Sequence, residues 1–523
     1  IPWGGPRDEE TAPNTATRRP GSRRGPARCL DRQGRRCGDQ RERRPAAADH
    51  AGGGRDEGPL VRLALRFTRW AERWFPDAFI FVAIAVVVVA AGALAIGAPP
   101  TAVTKAFGDG FWSLIPFTMQ MVFVTIGGYV VATSPPAQRL IDRLALLPKT
   151  GRGAVGFIAT VSMLASLLSW GLSLIFGGLL ARAVARRADL RVDYRAAGAA
   201  AYLGLGATWA LGLSSSAAQL QANAASLPKT LLPITGVIPF TETIFLWQSM
   251  LIAVVLVVVS AVIAVWSAPS DAGAVTARDL GVDLTRRPDD LPPRRQPGEW
   301  LEHAPLLTIL LTAIAFGWLV QEFARQSPIV AISNLNTYNL LFLMLGLLLH
   351  WRPKRFLTAV ARSVPATTGV LIQFPFYAAI STILTTAANP AGATLSHVIA
   401  DAFVRLNTHD SFPLAMGVYS AVLGFFIPSG GGKGLLEAPY VMQAANELQV
   451  HLGWAVQVYN AAEALPNLIN PFWMLPLLGI LGLRARDIVG FTFLQLVVHL
   501  PLVLFLLWFL AKTLTYLPPV VPS

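Results

Sequence analysis

Three clusters of polar residues lie inside stretches that are otherwise apolar. The first is Ser214-Ser215-Ser216, followed by Gln219 and Asn223. The second is Pro428-Ser429-Gly430-Gly431-Gly432-Lys433, with Glu437 beyond it. The third is Asn460, Glu463 and Asn467, running on to Asn470-Pro471. Hydroxyls and the backbone N–H groups of consecutive glycines converge on anions. Three successive glycines are a poor helix interior, each costing about 1 kcal/mol against alanine, so Pro428–Gly432 reads as a tip where backbone approaches a ligand. An acidic side chain at the centre of a membrane helix costs about 2.5–3.5 kcal/mol on insertion scales and is a functional candidate by default. Glu463 is therefore read as a ligand for a coupling cation or as a proton acceptor. Glu437 has a plainer reading as the helix-spaced ion-pair partner of Lys433. The i, i+3, i+7 spacing of Asn460, Glu463 and Asn467 puts them on one helical face, and Ser216, Gln219 and Asn223 share that spacing.

The elements that must position these groups are membrane helices. The chain has 523 residues, 53% of them hydrophobic and only 14% charged. Many apolar runs approach the roughly 20 residues that span hydrocarbon, and a barrel would show short alternating strands instead. The net charge of +13 sits in short segments flanking apolar runs, where orientation signals belong, and argues against nucleic acid as a partner. Both cysteines, Cys29 and Cys37, fall outside the apolar part, the seven histidines have no zinc-ligand spacing, and there is no phosphate-binding loop motif. No cofactor is expected beyond Na⁺ or H⁺ as the coupling ion.

Residues 1–58 are rich in Arg, Gly, Pro and Ala, a composition that cannot bury a core. They are expected to be a disordered tail, or the product of a start placed too far upstream. Residues 60–75 read as a basic amphipathic surface helix. Spans are expected at about 77–98 and 111–133, with a loop over 99–110. The apolar run 154–180 has basic residues on both sides, Lys149 and Arg152 before it and Arg182 to Arg195 after it. It is therefore expected to enter and return, with Ser166, Ser169 and Trp170 at its tip. An interrupted span with Ser214–Ser216, an interfacial segment over 229–245 and a closing span at 246–266 complete the first repeat, 59–267.

A proline-rich cytoplasmic linker, 268–303, precedes the second repeat, 304–511. That repeat is expected to hold spans at 304–323, 335–351 and 367–386, a moderately polar stretch over 387–411 and a hairpin tipped by Pro428–Gly432. An interrupted span over 453–483 and a last span at 488–510 follow, with a short tail, 512–523. The halves then have the same order and opposite orientation, with the N-terminus cytoplasmic and the C-terminus outside. The expected fold is an all-α polytopic membrane protein of two inverted-topology repeats, each with a re-entrant hairpin and a broken transmembrane helix. Paired discontinuous helices of this kind mark a transporter's binding site.

Phe425-Phe426-Ile427-Pro428-Ser429-Gly430-Gly431-Gly432, Ala438-Pro439 and Asn467-Leu468-Ile469-Asn470-Pro471-Phe472-Trp473-Met474 resemble the short-chain fatty acid transporter family, as do Gly212–Ser216 and Gly236–Pro239. The resemblance covers about residues 60–511. It implies a secondary carrier of the wider ion-transporter superfamily in the inner membrane, moving monocarboxylates such as acetoacetate or butyrate, and a homodimer. On this reading Ser169, Trp170, Ser214, Ser215, Ser216, Ser429, Gly430, Gly431, Gly432 and Asn467 bind the carboxylate. Asn460, Glu463 and Asn223 hold the coupling ion. A dicarboxylate or other anion carrier is the alternative within transport. An intramembrane enzyme with a Ser429–Lys433 dyad is the alternative outside it.

Overall fold

The computed structural model describes residues 73, 78–224, 226–284, 293–427 and 430–521. The expected surface helix over 60–75 and the tip residues Pro428 and Ser429 lie outside the described residues. Among the described residues the regular structure is helical, with two isolated β-bridges. Seven helical stretches are long and apolar enough to cross a bilayer.

The first half runs α1 (Ala78–Ala95), α2 (Pro100–Ser113), α3 (Ile115–Ala132), α4 (Pro135–Leu144), α5 (Gly151–Leu168), α6 (Trp170–Ala185), α7 (Tyr194–Leu203), α8 (Ser216–Gln221) and α9 (Trp247–Ser267). The loop expected over 99–110 is instead helix α2. Pro100 starts it, and Val103, Ala106 and Gly110 recur at helical spacing and are buried. A Cβ on Gly110 would sit 2.6 Å from Thr382, so the two backbones approach closely there.

The second half runs α10 (Leu306–Arg325), α11 (Leu335–His350), α12 (Pro353–Ser363), α13 (Thr368–Thr386), α14 (Leu395–Leu406), α15 (Phe412–Phe426), α16 (Gly430–Glu447), α17 (Leu452–Asn467), α18 (Pro471–Leu481) and α19 (Ala485–Ala511). The polar stretch over 387–411 holds helix α14, started by a capping box between Thr394 and His397. Its Phe403 stacks on Tyr440 of α16, ring centroids 6.3 Å apart.

Burial sorts the helices by role. α10 buries only Thr308, Thr312 and Leu319 and offers leucines and isoleucines outward, as a lipid-facing helix must. Every residue of α17 and α8 is buried, as is every residue of α7 except Arg195. Polar side chains persist at membrane depth only where protein covers them. The two interrupted helices, α7–α8 and α17–α18, carry those polar residues and occupy the shielded centre.

Candidate functional site

α5 and α6 are joined by one residue, Ser169, whose backbone is extended (φ −156°, ψ 123°). Its Oγ accepts from Leu172 N–H and caps α6. The helices run back along each other. Ser173 Oγ donates to the Ser162 carbonyl at 2.8 Å, and Gly177 faces Ser162 so closely that a Cβ would lie 2.3 Å from its hydroxyl. At the far end, a Cβ on Gly151 would lie 2.2 Å from the Arg191 carbonyl. The chain thus turns at Ser169, and Gly151 at the start of α5 lies beside Arg191 beyond the end of α6.

The tip docks on the first helix break. α7 widens into a π turn, Gly204–Thr208, then tightens into a 3₁₀ turn, Trp209–Leu211, before Gly212 goes extended. Ser214 Oγ accepts from Trp170 N–H at 2.8 Å, Leu213 N–H donates to the Leu167 carbonyl at 2.8 Å, and Ser166 and Thr208 hydroxyls lie 2.7 Å apart. Tyr338 of α11 donates to the Leu168 carbonyl. Ser169 and Ser214 therefore hold the backbone in place. Neither is among the lining residues of the pocket described below.

The second break sits at the far end of the expected polar stretch. α17 is continuous through Asn460 and Glu463 to Asn467, and the chain leaves the helix at Leu468–Asn470 before Pro471 opens α18. A polar side chain does not break a helix, whereas a residue preceding proline is pushed out of the α region. The matching polar spacing therefore does not mark equivalent positions: Ser216–Gln221 follows its break, and Asn460–Asn467 precedes its own. The two breaks are stitched together. Asn460 Nδ2 donates to the Ala210 carbonyl and to Ser215 Oγ, and Tyr202 of α7 donates to the Asn467 carbonyl at 2.8 Å.

Between the breaks and the two hairpins lies a pocket. Of the expected binding residues, Trp170, Ser216, Gly430, Gly431 and Asn467 line it together. Trp209, Gln373, Phe374 and Trp473 complete its polar and aromatic part, with Met121, Leu205 and Val370 as apolar wall. α16 starts at this wall. A Cβ on Gly430 would lie 2.1 Å from the Trp209 ring, and one on Gly431 would lie 3.2 Å from Phe374 and from Ser216 Cβ. Buried Trp209 Nε1 and Asn467 Oδ1 have no protein partner. None of the described lining residues is charged. Hydroxyl, indole and backbone N–H donors beside an apolar wall can take one carboxylate with a short hydrocarbon tail.

The remaining expected residues divide. Gly432 is buried within α16, and Ser215 and Asn460 bond to each other behind the wall. Asn223 is half-buried in the turn after α8, where its carbonyl accepts from Ser226 and Leu227. The structure does not bring it into the pocket lining. Glu463 is fully buried, packs against Gly424 of α15, and neither carboxylate oxygen meets a donor at hydrogen-bonding geometry; Asn467, one turn on, is its polar neighbour. Lys433 and Glu437 form the expected ion pair at 2.6 Å. Sequence reasoning missed Trp209, whose direction depends on the π turn, and Phe374, which lies in an ordinary apolar span.

The described helices resemble solved transporters in fold. The Neisseria gonorrhoeae MtrF structure, reported as illuminating a class of antimetabolite efflux pumps, superposes with a TM-score of 0.53 at 12% identity, covering 88% of this chain and all of that one. The Alcanivorax borkumensis YdaH transporter, reported to have an unusual topology, gives 0.51 at 13% identity, covering 84% and 98%. An Escherichia coli K12 protein is 33% identical over 435 residues, 83% of this chain and 96% of its own length. A Haemophilus influenzae protein is 30% identical over 458 residues, 86% and 100%. Both are provisionally named as short-chain fatty acid transporters. The family described as short chain fatty acid transporter matches residues 59–510. These are transporters and not enzymes, and this chain belongs to the short-chain fatty acid transporter family.

Proposed function

We propose that this chain is a secondary carrier of short-chain monocarboxylates, acetoacetate or butyrate in type, across the bacterial inner membrane, driven by a co-moving H⁺ or Na⁺. The observation that carries this is the uncharged pocket between the Ser169 hairpin, the α15–α16 hairpin and the two helix breaks. Its donors, the Ser216 hydroxyl, the Trp209 indole and the start of α16, lie close together, and Met121, Leu205 and Val370 give it an apolar wall. A helix start and N–H donors favour an anion. A dicarboxylate would set a second charge against Met121, Leu205 and Val370, with no cation to meet it.

The two halves take opposite orientations in this reading, and both hairpins are re-entrant. The basic residues Arg139, Arg143, Arg186 and Arg191 mark the cytoplasmic side of the first hairpin, and Arg484 and Arg486 mark the same side of α18. The C-terminus then faces outward, and two copies associate as the resemblance implies. Residues 1–58 take no part in transport. Purified protein in liposomes, preloaded with unlabelled acid, should exchange external labelled C2–C6 monocarboxylates. Absence of exchange for every chain length refutes the assignment.

A further inference from the structure

Lys433 and Glu437 have side chains 1% and 0% exposed, on α16, a few residues beyond the pocket's Gly430. Lys433 Nζ faces three oxygens from three helices: Ser420 Oγ of α15, Glu437 Oε2, and the Tyr459 carbonyl of α17 at 3.3 Å. Ser420 Oγ itself lies 2.8 Å from that carbonyl and 3.0 Å from Glu437 Oε2. A carboxylate, a hydroxyl and a backbone carbonyl converging on one point are hard oxygen ligands of the kind that suit alkali and alkaline-earth cations. Here the cation at that point is the lysine's own ammonium.

A second carboxylate adjoins the first. Glu463 lies one helical turn after Tyr459 on α17, and a Cβ on Gly424, one turn after Ser420 on α15, would lie 3.1 Å from its Cγ. Glu463 interacts electrostatically with both Lys433 and Glu437. The other titratable groups facing this cluster are phenols. Tyr440, Tyr419 and Tyr459 stand near Glu437, and Tyr202 and Tyr377 stand near Glu463. Phenols ordinarily titrate near about 10 and contribute no charge at working pH. The cluster thus holds one fixed positive charge against two carboxylates in a site closed to water, where an uncompensated charge is costly.

We propose that Lys433 is a tethered cation occupying an alkali-ion position, that Na⁺ is not the coupling ion, and that Glu463 carries one exchangeable proton per monocarboxylate moved. This rests on the carrier reading above. The charge count supports it. With both carboxylates ionised, the empty carrier holds one net negative charge over these groups. With a monocarboxylate bound and Glu463 protonated, it again holds one. Loading changes no net charge, so symport is electroneutral: the proton arrives at Glu463 from one side with the anion and leaves to the other.

The test uses the full chain in liposomes with labelled butyrate, short time points and protein-free vesicles subtracted for passive entry of the undissociated acid. An inward proton gradient should drive accumulation that is unchanged when Na⁺ is replaced by choline and unchanged by a valinomycin-imposed potential. Accumulation that requires Na⁺, or that follows the potential, overturns the proposal. Glu463→Gln, checked for membrane insertion, should lose the proton-driven component; retention of that component overturns the proposal as well. Lys433→Ala empties the oxygen site, so its transport should come to depend on added Na⁺; full Na⁺-independent activity refutes the tethered role. If that variant does not insert, the wild-type cation arms decide. Failure of the parent to exchange any acid sinks the carrier reading instead, a distinct outcome from exchange that Na⁺ alone can drive uphill.

Discussion

The side-chain amide of Asn460 on α17 donates to Ser215 Oγ at 2.8 Å and to the Ala210 carbonyl at 2.7 Å, so the second half's interrupted helix holds the first half's break in shape. Asn460→Ala leaves a buried hydroxyl and a buried carbonyl short of a donor. Each such loss costs about 1–3 kcal/mol. The variant should melt at lower temperature in detergent and exchange substrate more slowly while still reaching the membrane. A melting curve and exchange rate equal to the parent's would remove Asn460 from this role.

Gly430→Ala should close the pocket. The added methyl meets the Trp209 ring at 2.1 Å, and overpacking a tight site costs about 1–3 kcal/mol. Labelled exchange should fall sharply. Adding Trp209→Leu in the same chain makes room and should restore part of it if the clash is the cause. Full activity in Gly430→Ala alone would show that α16 starts away from the substrate path.

Thr150 and Arg191 flank the α5–α6 hairpin and are both exposed. Single cysteines at these positions, in a chain with Cys29 and Cys37 replaced, should both be modified by an impermeant maleimide from the cytoplasmic side. Labelling of one from outside would turn the hairpin into a span and dissolve the inverted arrangement of the halves.

A chain beginning at Pro59 should insert and exchange substrate as the full chain does. The family match begins at that residue, and the composition before it has little to pack. Loss of membrane insertion on truncation would show that residues 1–58 contribute.

The long spans were legible because length and hydropathy suffice for α9, α10, α13 and α19. The turn at Ser169 was legible from the small and polar residues Ser166, Ser169 and Gly171 in an apolar run. Four further helices were not seen: α2, α4, α12 and α14 are short or amphipathic, and membrane hydropathy is blind to an element that buries one face. In the site, Ser216, Gly430, Gly431 and Asn467 could be named because small and polar residues are anomalous in hydrocarbon. Trp209 and Phe374 could not, since an aromatic residue in an apolar span is unremarkable until the backbone aims it. The second break falls at the Asn470-Pro471 end of the polar stretch, where stereochemistry and not polarity decides. Lys433 was legible as Glu437's partner, but Ser420 and the Tyr459 carbonyl come from other helices and no local pattern joins them.

The π turn at Gly204–Thr208, closed by Trp209 N–H on the Gly204 carbonyl, holds one residue more than an α-helical turn would. Its effect is one of reading frame. Deleting a single codon there would restore the 3.6-residue turn and remove the local widening that sets Trp209 at the pocket and Gly212 against the Leu167 backbone. No point substitution can make that change, and substitution scanning will not reveal it. Length variation within these five residues is therefore the place to look for relatives whose pockets have been refitted to a different acid.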